Sequence, residues 1–384
     1  MKNLPHQRKK FSLPAQSVYL NCAYMSPLLK SVEKAGIQGL LSKRNPSFLS
    51  SGDFFTGADE LRSEFAQLIN AKNKNQIAII PSASYGLANA AKNIKLKRGE
   101  NLIVAAEQFP SNVYPWMNLS KESGASIKTI HPPSFLEDRG KIWNEKILDS
   151  IDSATRLVAL GHVHWADGTK FDLMKIRKRT REVGALLVID GTQSVGALPF
   201  DVRTIQPDAL ICGGYKWLLG PYAIGLAYYG NYFDQGIPIE ENWINRKNSE
   251  DFSGLVTYEA NYQPGALRYD VGERSNFILV PMMTAALKQI NQWTPGRIQE
   301  YCQKISARPI TRLREAGYWI EREEQRGHHL FGIRLPQQKS IREVRAKLKE
   351  NKIAVSVRGE ALRVSPYLYN SEKDLMKLVE TLIF

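Results

Sequence analysis

Between about residues 75 and 230 the chain alternates short apolar runs with helix-patterned stretches, and this alternation constrains the fold more than any other feature. The runs are 76–80, 101–105, 126–130, 156–160, 185–189, 209–212 and 224–228, most of them rich in Ile, Val and Leu. Short continuous apolar runs suit strands buried on both faces. Helical patterns such as 85–94 and 172–183 lie between them. Strand and helix in alternation predict an α/β fold, with a mostly parallel seven-stranded sheet covered by helices on both sides. Residues 230–265, rich in Asn, Gly, Pro and aromatics, read as a long excursion. A helix over 272–293 follows, then a helix at 297–316, a strand at 330–335, a helix at 340–350, strands at 353–357 and 361–365, and a helix from 371. The expected division is a large domain over 16–258 and a smaller α+β domain built from 1–15 and 259–384. A chain of 384 residues is long enough to give each a core.

Composition narrows the class. Hydrophobic residues make up 43% and aromatics 10%, a globular balance. No apolar run approaches the roughly 18 residues of a membrane helix. Met1 to Phe11 is basic and polar, without the apolar stretch of a secretory signal, so the expected location is cytoplasmic, with no membrane partner. Cys22, Cys212 and Cys302 are odd in number and far apart, which argues against disulfides and a cysteine zinc site. The net charge is +14. Its densest run, 170–181, mixes basic residues with Phe171, Leu173, Met174 and Ile176. That pattern reads as a helix with a solvated outer face, so no nucleic-acid partner is expected. A positive field would still attract anionic small molecules.

Open parallel sheets bind ligands at the carboxyl ends of their strands. Asp190 follows the run 185–189, and Lys216 follows 209–212. Pyridoxal 5'-phosphate (PLP) chemistry uses such a pair: the lysine holds the aldehyde as a Schiff base, and the carboxylate keeps the pyridine nitrogen protonated. Taken singly, Asp190 could cap a turn and Lys216 could be a surface lysine. After the first run comes Pro81-Ser82-Ala83-Ser84, small residues at a helix start, where free N–H groups can seat a phosphate. Phe109 follows the second run and could stack on a ring, or belong to the core. His162-Val163-His164 has metal-like spacing, but no third ligand cluster accompanies it, and a hydrogen bond from His164 to a ligand is the preferred reading. Arg363 could grip an α-carboxylate.

These residues carry a family resemblance. The stretch VIDGTQSVGALPFDV…DALICGGYKWLLGPYAIGLAYY, residues 188 to 229, resembles class V aminotransferases of PLP fold type I, a group that includes cysteine desulfurases, selenocysteine lyases, kynureninases and isopenicillin-N-epimerase-like proteins. The likeness extends from Tyr19 to Asn370. It implies PLP as cofactor, Lys216 and Asp190 as catalytic residues, and Gln193 at the phenolic oxygen of PLP with His164 nearby. It also implies Phe109 as the stacking aromatic, Ala83, Ser84 and Tyr215 at the phosphate, and Arg363 at the substrate carboxylate. A homodimer with shared active sites is implied too. The stretch Arg268 to Arg274 resembles the segment that reaches the neighbour's phosphate. Many relatives have Thr where this chain has Glu273, so Arg274 or the Gly272 backbone is expected to act there. Tyr24 and Trp243 are candidate substrate-side residues, and could equally be core aromatics.

The desulfurases' nucleophilic cysteine is missing from the short stretch Val357 to Arg363, which disfavours persulfide chemistry. The expected activity is transamination of an amino acid. A lyase or hydrolase of selenocysteine lyase or kynureninase type ranks next, then an epimerase. A basic nucleic-acid-binding protein on a vestigial PLP fold is the non-enzyme alternative.

Overall fold

Every residue of 77–80, 101–105, 209–213 and 225–229 is buried, and successive residues serve opposite faces. Ile77, Ile79, Leu187, Ile189 and Leu210 join one apolar cluster, whereas Ala78, Ile80, Val188, Ala209 and Ile211 join another. Side chains on a strand alternate sides, so a sheet with helices on both faces needs apolar residues at every position.

The computed structural model describes residues 4–383; the first three residues of the expected 1–15 segment and residue 384 lie outside the described residues. Its strands, in chain order, are β1 Val18–Tyr19, β2 Ile77–Ile80, β3 Asn101–Ala105, β4 Ser126–Ile130, β5 Thr155–Gly161, β6 Leu186–Asp190, β7 Ala209–Gly213, β8 Gly225–Tyr229, β9 Phe331–Arg334, β10 Ile353–Ala354, β11 Ser356–Arg358 and β12 Ala361–Val364. Strands β2 to β8 form the seven-stranded sheet, in the order β2-β8-β7-β6-β5-β3-β4. All pairings are parallel except those of β8, which is antiparallel to both neighbours. The fold is thus α/β with a mostly parallel sheet. A three-stranded sheet, β11-β12-β9, and the β1-β10 pair stand apart from it. The N-terminal segment rides on these C-terminal elements: Gln7 N–H donates to Leu368 O (2.8 Å), and Ser365 N–H to Leu20 O (2.9 Å).

Two elements differ from expectation. The helix placed at 272–293 begins at Leu279. Upstream, the backbone is engaged elsewhere: Val271 N–H donates to Ile79 O (3.0 Å) and Gly272 N–H to Glu240 Oε1 (2.8 Å). Asn276 Oδ1 then accepts from Ile278 and Leu279 at 3.0 and 2.9 Å, which starts the helix late. The strand placed at 353–357 is broken at Val355, because its first part pairs with β1 and its second with β12.

The basic run forms the helix Leu173–Val183, with Leu173, Ile176 and Thr180 buried. Met174, expected on the apolar side, is instead exposed. Lys175, Arg177 and Arg179 pair with Asp172, Asp208 and Glu182, which offsets part of the charge on this face. Among the described residues no helix is long and apolar enough to cross a membrane.

Candidate active site

The sheet's parallel register brings the chemistry together. Asp190 is the last residue of β6, paired with Gly161 of β5 and Ile211 of β7. Lys216 follows the end of β7 by three residues. Thr192 ties the two strand ends together: its N–H donates to Asp190 Oδ1 (2.9 Å), and its Oγ1 accepts from Gly213 N–H (3.0 Å). Asp190's other carboxylate oxygen has no partner among the described residues. Gly214 must be glycine, since a Cβ there would lie 2.3 Å from Ile224 O.

A cavity of about 320 Å³ opens at these strand ends, within the usual size of a small-ligand site. Ala83, Ser84, Phe109, His164, Asp190, Gln193, Tyr215 and Lys216 all line it. Lys216 is 6% exposed, and its Nζ lies 5.3 Å from the centroids of both the Phe109 and Tyr215 rings. Burial lowers this amine to about 8; Asp190 opposes the shift, and Arg363 and Arg358 add to it.

At the cavity's other end begins the helix Ala83–Asn93, capped by Ser82 Oγ, which accepts from Tyr85 N–H (3.2 Å). Ser84 Oγ lies 2.8 Å from Ser82 Oγ. The first helical amides have no carbonyl a turn earlier to bond, and the helix dipole is positive there, so this end suits a phosphate. Tyr215 and Tyr222, with ring centroids 4.7 Å apart, line the same cavity.

Two predicted contacts have competing partners. Gln193 Nε2 donates to Ala23 O (3.1 Å) and its Oε1 accepts from Trp217 Nε1–H (2.8 Å), leaving one amide N–H for a ligand. His164 Nδ1 lies 3.2 Å from Asp167 Oδ1, and Nε2 lies 3.3 and 3.2 Å from Ala106 O and Glu107 O. Both ring nitrogens therefore face protein oxygens, and the imidazole contributes its ring surface to the wall.

The remaining predicted residues lie outside the lining. Arg274 is buried on Asp270 (2.8 Å), which also holds the buried Arg62. Gly272 gives its N–H to Glu240, which accepts from Tyr85 on the phosphate-seat helix (2.9 Å). Trp243 packs against Phe54, Phe55 and Phe252. Tyr24 is 54% exposed and lines a separate groove with Arg358. Arg363 stands just behind the wall: it is 2% exposed, and its Nη1 donates to the carbonyl of Trp165 (2.8 Å).

Sequence reading passed over Trp165, which lines the cavity and meets Phe109 edge-on at 5.4 Å. Its position directly after the His-X-His run was the available signal. Thr192 and Gln108 were also passed over. Gln108, in the loop after β3, bonds the end of β5, donating to Ala159 O (3.1 Å) and accepting from Gly161 N–H (3.0 Å).

The three cysteines are all buried. Burial pushes the Cys22 thiol up to about 12 and raises Cys212 and Cys302 as well, so none is poised as a thiolate. β11 and β12 are joined by a two-residue hairpin turn, Gly359-Glu360, with Gly359 at φ 52.

An uncommitted amine and an uncommitted carboxylate oxygen share one cavity with a helix N-terminus, on a sheet of this topology. They fit the aldehyde, pyridine nitrogen and phosphate of PLP, and define a PLP-dependent enzyme of fold type I. The chain belongs to the class V aminotransferase family, whose description, "Aminotransferase class-V", it matches over residues 48–378. It is 25% identical over 392 aligned residues to the uncharacterized aminotransferase YcbU of Bacillus subtilis (strain 168), covering 99% of this chain and 98% of that protein. It is 31% identical over 251 residues to a probable cysteine desulfurase of Methanothermobacter thermautotrophicus, covering 64% of this chain and 59% of the other. Among solved structures, a cysteine desulfurase of Thermococcus onnurineus NA1 superposes with TM-score 0.84 at 21% identity, covering 99% of this chain and 97% of that one. A C-DES variant with glycine covalently linked to its PLP cofactor superposes with TM-score 0.86 at 17% identity, covering 98% and 99%. These structural likenesses bear on the fold.

Proposed function

We propose that this enzyme is an aminotransferase acting on an amino acid, working as a homodimer of two-domain subunits, with the large domain over 16–258. One observation carries the reading: Lys216 and Asp190 meet in one cavity from which every cysteine is sealed away. Persulfide chemistry needs an accessible thiolate, so the desulfurase activity of several relatives does not suit this chain. The relative matched over nearly its whole length is described as an aminotransferase.

When bound, PLP supplies an aldehyde that captures amino groups and a ring that withdraws electrons from the substrate's α-carbon. With the cofactor in place, Lys216 Nζ would hold the aldehyde carbon, and once the substrate's amino group had displaced it, the freed neutral amine would move the α-proton. The free oxygen of Asp190 would hold the proton on the pyridine nitrogen. Phe109 and His164 would wall the ring, and the amides at Ala83 and Ser84 would receive the phosphate. Arg363 orients the substrate through its carboxylate.

The deciding experiment offers single amino acids to the yellow protein without an acceptor. A stable pyridoxamine spectrum, reversed by a 2-oxo acid, is the expected result. Release of ammonia or pyruvate without acceptor would replace transamination by a lyase. Loading with PLP should also follow the Lys216 amine, because only the neutral form attacks an aldehyde. Since burial brings that amine to about 8, the loading rate of apoprotein should rise about tenfold per pH unit below 8 and level off above it. An ordinary lysine would keep the rate climbing past pH 10. Stopped-flow absorbance separates the two profiles.

A further inference from the structure

Two guanidinium groups converge on Trp165. Arg358 on β11 stands 5.4 Å from the Trp165 ring centroid, and Arg363 on β12 stands 5.9 Å from it. Their convergence follows from the register. Ser356 sits opposite Arg363 in the antiparallel pair, and Arg358 is two residues further along β11, so both arginines leave the same face of the sheet.

Neither arginine has an ion-pair partner among the described residues. Arg363 Nη1 donates to Trp165 O (2.8 Å), Arg358 Nη1 donates to Val357 O (2.8 Å), and the Nε of each is buried without a partner. Three other buried arginines hold carboxylates, Arg62 and Arg274 sharing Asp270 and Arg139 holding Asp167 at 2.8 Å, whereas the buried Arg268 and Arg326 donate to backbone carbonyls. A pair of like charges with little solvent and no counter-ion is unfavourable until an anion arrives. Burial, and after it the charge of Arg358, lowers Arg363 to about 10.

The two arginines differ in depth. Arg363 is 2% exposed behind the cavity wall, whereas Arg358 is only partly buried and also lines the outer groove that holds Tyr24. We propose that Arg363 and Arg358 together select amino acids carrying a second anionic group, with Arg363 taking the α-carboxylate and Arg358 the carboxylate or similar oxyanion at the end of the side chain. The substrate class is therefore acidic amino acids. This rests on the reading of the cavity as an amino-acid site.

The test uses unreactive probes, glutarate and butyrate, titrated into the holoenzyme at constant ionic strength and followed by calorimetry and thermal shift. Wild-type protein should bind glutarate at least about tenfold more tightly than butyrate, the size of one charge-assisted contact. In Arg358→Gln that ratio should collapse towards one, and Arg358→Lys should restore part of it. A wild-type ratio near one overturns the proposal without reference to any variant, and so does an unchanged ratio in a folded Arg358→Gln protein. The parent reading is judged separately: a colourless protein that borohydride cannot label at Lys216 would overturn that reading, whatever the glutarate ratio.

Discussion

Replacing Lys216 with alanine should abolish borohydride-fixed PLP on the chain and lower turnover by about 10⁴-fold, the upper range for loss of a positioned acid–base group. The lysine's effect is this large because one amine serves two needs. Its Nζ is 5.3 Å from the centroid of the Phe109 ring that walls the cavity, and among the described residues no acceptor hydrogen-bonds it. Asp190, Arg363 and Arg358 are close enough to shift its titration, but none can replace a neutral amine: the first is a carboxylic acid and the others are guanidinium groups. The variant should remain folded, because removing a buried ammonium relieves desolvation while leaving a modest cavity. The phosphate seat can still hold PLP noncovalently, so the informative readout is mass spectrometry after reduction, set beside the turnover rate. A reduced adduct that persists on another residue, with turnover intact, would remove Lys216 from its assigned role.

Asp270→Ala should destabilise the fold by about 3–5 kcal/mol, the range for removing one partner of a buried ion pair. Asp270 has no exposed surface, and its carboxylate receives Arg62, Arg274 (2.8 Å) and the Ile79 N–H (2.7 Å). Removing it leaves two buried guanidinium groups without their shared carboxylate and frees the Ile79 amide of β2, an edge strand of the sheet. Asp270→Asn should be milder but still destabilising, since it keeps the shape and loses the charge. The effect should reach PLP affinity as well, because β2 leads directly into the phosphate-seat helix at Ala83. Urea denaturation of apoprotein gives the stability change, and spectral titration gives the affinity. A loss under about 1 kcal/mol would mean that water reaches the network and screens it.

How much of this was legible differs by element. All seven sheet strands were readable within one or two residues; for the inner ones this is because a strand buried on both faces is a continuous apolar run, whereas the edge strand β4 has no buried residue. The late start at Leu279 was not, since a capping Asn276 and a glutamate 32 residues upstream of Gly272 decide it. Among site residues, those directly following strands, from Ala83 to Lys216, line the cavity. Arg274, Gly272 and Trp243 have other partners, which no local pattern announced.

The order of strands and helices along the chain, the pairing of a carboxylate with an amine at successive strand ends, and the lack of a cysteine between Val357 and Arg363 come from residue order alone. They are local properties, set by periodicity and by the few residues directly after each apolar run. Side-chain direction and partnership arise only on folding: that Arg274 turns to Asp270, that His164 spends both nitrogens on protein oxygens, and that Arg358 and Arg363 meet at Trp165. Those contacts join residues up to 198 positions apart, and buried charges settle wherever the packed chain brings the nearest complementary group.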